Sequence, residues 1–177
     1  MDIVIQVQEA MHSIFQRKEK GMLIKLDIEN AFDRVNHSFL YSVLRAFVFF
    51  PAFINLIKAC INIPWIAPLV NGRPTNFFQA TRGLRQGCPL SSFLYILMAD
   101  SLIKKLTKGK NDGSIPDITL AVGVESINHA LFADDTLLLG GASLKMTRVF
   151  FPEIMHQFCI ISGALITTVR VSSLDGM

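Results

Sequence analysis

Two adjacent carboxylates inside an apolar run place the strongest constraint on how this chain folds. In HALFADDTLLL, residues 129–139, apolar side chains stand on both sides of Asp134 and Asp135. Two acids in such a segment repel each other and lose hydration on burial, so a fold tolerates them best where a cation offsets the cost. The stretch reads as a strand, a tight turn at residues 133–135 and a second strand through Leu139, ended by Gly140 and Gly141. Two interpretations stay open on these residues alone: a divalent-ion site, or the turn of a solvated hairpin.

A third acid bears on the choice. GMLIKLDIEN is apolar from Met22 to Leu26 apart from Lys25, as a short buried strand would be, and it ends at Asp27. If that strand lies beside the 129–139 hairpin, Asp27 converges with Asp134 at one sheet edge and the carboxylates can share divalent ions. Mg²⁺ takes oxygen ligands and keeps several waters, so a few carboxylates and substrate phosphates complete its shell. Alone, Asp27 is more simply a helix N-cap or turn residue. Glu29 and Asp33 read as surface or local capping charges.

The rest of the chain predicts helices and short strands in alternation. The N-terminal twenty residues form an amphipathic helix, and HSFLYSVLRAF another, with Asn36 or Ser38 as N-cap. Pro51 opens a third. Strand-like residues 65–70 and the Phe77–Phe78 region flank Asn71-Gly72, a type I′ hairpin signal. TRGLRQGCPLSSFLYILMADSLIKKL passes from a basic loop through Pro89 into a helix over residues 90–107. Residues 108–117 read as an exposed loop and 118–124 as a strand. A helix over 144–161 with Gly163 as C-cap follows, and ALITTVRV is a closing strand. The fold class is therefore α+β: one domain with a mainly antiparallel sheet and helices packed on one face.

Composition narrows the function classes. Hydrophobic residues make up 51% of the chain and charged residues 18%, so either the core is large or partners cover apolar surface. The net charge of +3 is compatible with nucleic acid but does not argue for it alone. Cys60, Cys88 and Cys159, odd in number and without CxxC spacing, read as reduced thiols rather than a disulfide framework or zinc site. The N-terminus lacks the order of a signal peptide, and the most apolar run, 46–57, falls short of a bilayer span. The expectation is an intracellular protein, nuclear or cytoplasmic, with no membrane segment.

KLDIENAFDRV, VNGRPTNFF, RGLRQGCPLSSFLYI, FADDTLLL and SGALITT, in this order, resemble the palm motifs of reverse transcriptases of non-LTR (LINE-type) retrotransposons, particularly those of plants. The resemblance implies a polymerase palm with part of the fingers over residues 1–177. It implies an RNA-directed DNA polymerase core that transfers dNMP to a primer 3′-hydroxyl. RNA template, DNA primer and dNTPs are its implied partners. Asp27, Asp134 and Asp135 match the triad that binds two Mg²⁺ ions, with Mn²⁺ as the substitute, and the Ile28 carbonyl matches a further ligand. Phe32 matches the aromatic ring that excludes a 2′-hydroxyl, and Gln86 and Gly87 match the loop beside nucleotide and template. Arg82 and Arg85 are candidates for phosphate contact. Three positions depart from the pattern: Cys88 where an acid is usual, Ser92 where a second proline is usual, and Arg170 near a usual lysine. The family's thumb and the rest of its fingers have no match in these 177 residues, so weak or absent activity of a truncated fragment is expected. The alternatives are a non-catalytic retrotransposon remnant that binds nucleic acid or a protein, and another palm-like nucleotidyl transferase acting without template.

Overall fold

The computed structural model describes residues 3–18, 20–62, 65–113, 129–132, 135–141 and 153–175. Its centre is β1 (Lys20–Ile28), whose burial alternates from Met22 to Ile28 as side chains of a strand point to opposite faces. β7 (Asp135–Gly141) pairs with one side of β1 and β8 (Ile166–Asp175) with the other, while β6 (His129–Phe132) pairs with β7. The sheet order is β6-β7-β1-β8, and every pairing is antiparallel. The expected hairpin therefore forms, with one adjustment: Asp135 begins β7 instead of ending the turn. Gly140 and Gly141 do not end the strand but pair with Met22 and Gly21.

Alternation sends Met22, Ile24 and Leu26 to one face, where Leu138 joins them under Leu102 and Leu106 of α4 (Pro89–Asn111) and Met155 and Phe158 beside or within α5 (His156–Ser162). Each such side chain, fully buried, contributes about 1.5–3 kcal/mol of transfer free energy. α1 (Ile3–Arg17) covers part of the opposite face through Val7 and Ile14, against Ala130 and Leu139. Helices thus pack on the expected face, and one more lies across the other.

A second core joins α2 (His37–Ala46), α3 (Pro51–Asn62) and the N-terminal half of α4 around Leu40, Leu44, Ile57, Leu94 and Met98. Asn36 caps α2, its side chain accepting from the Phe39 N–H at 3.2 Å. Beyond α3 come two small ribbons: β2 (Trp65–Ile66) with β5 (Phe78–Gln79), and β3 (Leu69–Val70) with β4 (Arg73–Pro74). Asn71 and Gly72, at φ 51° and 76°, make the turn between β3 and β4 that their sequence calls for.

α4 starts at Pro89 and runs four residues beyond the expected end, so residues 108–111 are helical, with Gly109 buried. The exposed loop begins only after them. The expected strand at 118–124, residues 144–152 of the expected helix, and Asp134 lie outside the described residues. Gly163 caps α5 in the left-handed conformation, φ 82°. Among the described residues no helix is long and apolar enough to cross a membrane.

His129 supplies a pH test of the packing of β6. Burial, and then the nearby Lys110 charge, hold its pKa below the ordinary 6.5. The unfolded chain therefore takes up the proton first as pH falls through about 6.5, and stability drops until the lowered folded value is passed. Urea midpoints measured between pH 7.5 and 5.5 are expected to fall in the wild type and to fall less in His129→Gln.

Candidate functional site

β1 carries Asp27 to the end of the sheet, where it is half-buried, and β7 starts directly opposite: Asp27 and Asp135 are register partners. Partners in such a ladder have Cα atoms roughly 4.5–5.5 Å apart. On the β8 side, Asp27 is opposite Thr168 and Lys25 opposite Arg170, and these four residues line a small depression of about 180 Å³. Ile28 closes the strand at an irregularity in the β1–β8 register, with its side chain buried and the Glu29 N–H donating to the Leu165 carbonyl at 2.8 Å. Among the described residues no three His, Cys, Asp or Glu side chains converge. The structure brings Asp27 and Asp135 to one edge, and Asp134 adjoins Asp135 in sequence.

Phe32 and Gln86 meet in a different recess, an open cleft of about 730 Å³ along α4. The Phe32 ring stacks on Tyr95 with centroids 4.9 Å apart and planes 23° from parallel. Tyr95, buried, thus backs the ring that the cleft exposes. Gln86 donates through Nε2 to both carboxylate oxygens of Asp33, at 3.1 and 3.0 Å. Asp33 is therefore more than a surface charge, since it fixes the glutamine of the loop.

The loop itself is pinned to residues 32–37 by backbone. Leu84 N–H donates to the Phe32 carbonyl and Gly83 N–H to the Val35 carbonyl, each at 2.8 Å, while His37 Nε2 lies 2.7 Å from the Gly83 carbonyl oxygen. Gly83 is at φ 90°, and a Cβ there would come within 2.6 Å of the Asp33 carbonyl oxygen. Gly87 is also left-handed, at φ 76°, but faces open space, so conformation alone accounts for the glycine. Tyr95, Asp33 and His37 were not legible as site residues. An aromatic in a long helix and an acid in a turn are ordinary, and only the fold sets them against Phe32, Gln86 and Gly83.

Cys88 is the N-cap of α4, extended at φ −90° and ψ 124°, with Pro89 next. Its sulfur makes no capping hydrogen bond. The backbone N–H groups of Ser91 and Leu90 nevertheless draw the thiol pKa below its ordinary value, as the positive end of a helix does. An acid answers the same backbone better, so Cys88→Asp is expected to raise the melting temperature by about 2–4 °C. Thermal unfolding followed by circular dichroism checks it; an unchanged or lower midpoint would mean that the loop cannot seat a carboxylate.

With this geometry in place, comparison with known proteins decides the family. The family profile described as "Reverse transcriptase (RNA-dependent DNA polymerase)" matches residues 3–158. The chain belongs to the reverse transcriptase family. Among curated relatives, a 149 kDa protein of transposon TX1 from Xenopus laevis is 28% identical over 98% of this chain and 13% of its own length. The Pol polyprotein of the type-1 retrotransposable element R2 from Popillia japonica is 34% identical over 72% of this chain and 21% of its own length. This reverse transcriptase chain thus spans a small part of those relatives. A Candida tropicalis telomerase structure, in complex with a fragment of telomeric RNA, superposes with a TM-score of 0.68 at 12% identity, over 96% of this chain and 28% of that one. That likeness shows the fold, an α+β polymerase palm.

Proposed function

We propose that residues 1–177 are the palm, with part of the fingers, of a non-LTR retrotransposon reverse transcriptase that adds dNMP to a primer 3′-hydroxyl on an RNA template. The observation that carries this reading is the register that sets Asp27 opposite Asp135, in a fold that also brings Phe32 and Gln86 together in one cleft. Non-LTR elements among the relatives support the class, and an Arabidopsis thaliana mitochondrial protein 41% identical over 38% of this chain favours a plant source.

Asp27 and Asp135 are register partners at one sheet edge and Asp134 adjoins Asp135 in sequence; carboxylates of these three residues, with the Ile28 carbonyl, are the hard oxygen donors that would suit two Mg²⁺ ions, or Mn²⁺. Bound there, such ions would lower the pKa of the primer hydroxyl and neutralise charge gathering on the phosphoryl oxygens. The protein's own groups do the positioning. Phe32, held by its stack on Tyr95, walls the cleft and is the ring that would exclude a 2′-hydroxyl from a sugar bound there. Gln86, fixed by Asp33, keeps its amide oxygen for the nucleotide. The backbone hydrogen bonds of the glycine-bearing loop to residues 32 and 35 hold Gln86 against the segment that carries Phe32. Template, primer and dNTPs are the corresponding partners, in nucleus or cytoplasm.

Primer extension on poly(rA)/oligo(dT) by this chain, with Mn²⁺ binding followed by electron paramagnetic resonance, tests the reading. Weak, template-dependent dTMP incorporation and Mn²⁺ binding that diminishes in Asp27→Asn are expected. Equal ion binding by both proteins, or product formed without template, would overturn it.

A further inference from the structure

On the face of β1 that α1 partly covers, the strand register lays charged residues out in rows. One row runs from Asp135 on β7 through Asp27 to Thr168 on β8, and the next from Leu137 through Lys25 to Arg170. Lys25, Asp27, Thr168 and Arg170 line the depression of about 180 Å³, so both cations open onto the same space as the acid. Each row is unfavourable by itself, because like charges directly opposite in a ladder repel. Asp27 has an acid as its partner across one strand gap, and Lys25 a guanidinium across the other. Between the rows the signs are opposite. Lys25 precedes Asp27 by two residues on one face of the strand, roughly 6.5–7 Å along it. Arg170 is the diagonal neighbour of Asp27, at a separation of about 7–8 Å that a long side chain spans. Lys25 is also half-buried, next to Leu23 and Leu137 where they pack towards α1, and a cation there is costly unless an opposite charge accompanies it.

We propose that Lys25, seconded by Arg170, is an internal counter-charge for the Asp27–Asp135 edge, and that it sets how tightly this edge takes a divalent cation. Without an ion, the cation row offsets the repulsion of the acid row and lets β1 pair with β7 in register. A divalent ion takes over that offset and meets the same positive charges, so its affinity is held down. Lys25 is thus a positioning residue, acting through Asp27. The inference rests on the reading of Asp27 and Asp135 as ion ligands, but its first test needs no ion.

Urea unfolding in EDTA of the wild type, Lys25→Met, Asp27→Asn and the double variant forms a cycle that isolates the pair. Lys25→Met is expected to lower the midpoint in the wild-type background, and to leave it unchanged or raise it beside Asp27→Asn, where the cation has lost its acid. Mn²⁺ titration followed by electron paramagnetic resonance is the second readout. Lys25→Met should bind Mn²⁺ about five- to tenfold more tightly, the effect of removing a unit charge about 7 Å from a divalent ion in a water-like dielectric. Lys25→Arg keeps the charge and should bind as the wild type does. Arg170→Gln, at an exposed position, should move both readouts the same way by less. An equal effect of Lys25→Met in both backgrounds overturns the proposal, as does unchanged or weaker Mn²⁺ binding. Unchanged Mn²⁺ affinity with weaker dTTP binding would assign Lys25 to a phosphate instead. Equal Mn²⁺ binding by the wild type and Asp27→Asn would overturn the catalytic reading and the affinity half of this proposal, while the unfolding cycle still decides the counter-charge.

Discussion

Asp27→Asn is expected to cut templated incorporation by about a thousandfold or more. Substitution keeps the size and the strand propensity of the residue, so β1 still pairs with β7 and β8, while one of the anionic oxygen donors disappears. An ion held at a phosphoryl centre supplies several kcal/mol of charge stabilisation, and each 1.36 kcal/mol is tenfold in rate. Loss of about 4 kcal/mol is thus about a thousandfold. Steady-state primer extension measures it, and circular dichroism confirms that the fold persists. A variant retaining a tenth of wild-type turnover would show that Asp27 is structural, which is how a lone acid at a strand end would ordinarily be read.

The second large effect concerns stability. Gly163 ends α5 at φ 82°, and a Cβ there would run into the Arg34 carbonyl oxygen. Two further contacts lock the same corner: Asn36 N–H donates to the Ser162 carbonyl at 2.8 Å, and Arg34 Nε to the Gly163 carbonyl at 3.1 Å. Gly163→Ala therefore meets the left-handed penalty of about 1–2 kcal/mol and a clash with backbone that cannot swing aside, costing another 1–3 kcal/mol. The sum, about 3 kcal/mol, corresponds to a fall of about 6–12 °C in melting temperature. Urea unfolding checks the free energy, and Gly87→Ala is the control: it shares the positive φ but faces open space, so only the conformational part should remain.

Much of the fold could be read from local chemistry. The apolar run of Met22 to Leu26, Asn36 as a cap, Pro51 and Pro89 at helix starts, Asn71-Gly72 and Gly163 each dictate conformation through neighbours in sequence. What stayed hidden depends on distant partners. Gly140 and Gly141 look like strand breakers until β1 supplies Met22 and Gly21 to pair with them. Lys108 to Asn111 look like the start of a loop, yet α4 continues because Leu106 and Gly109 are buried against the body of the protein. Of the candidate site, the strand adjacency on which the convergence of Asp27 with Asp134 depends is present, and its register pairs Asp27 with Asp135, while Asp134 lies outside the described residues. The support behind the cleft, Tyr95 under Phe32 and Asp33 under Gln86, has no local signal. Each depends on a contact between residues more than fifty positions apart in sequence.

The strand order also sets a folding timetable. β1 ends by residue 28, whereas its two neighbours begin at 135 and 166, so the central strand waits for more than a hundred residues before either flank can form. Pairings of such separation carry a large loop-closure cost and slow the crossing of the barrier, while the β3–β4 turn and the β6–β7 hairpin close locally within microseconds. The edge where Asp27 and Asp135 meet is thus assembled among the last elements of the sheet. A chain still emerging from the ribosome carries both aspartates far apart, and residues 27 and 135 become register partners only when β7 has paired with β1.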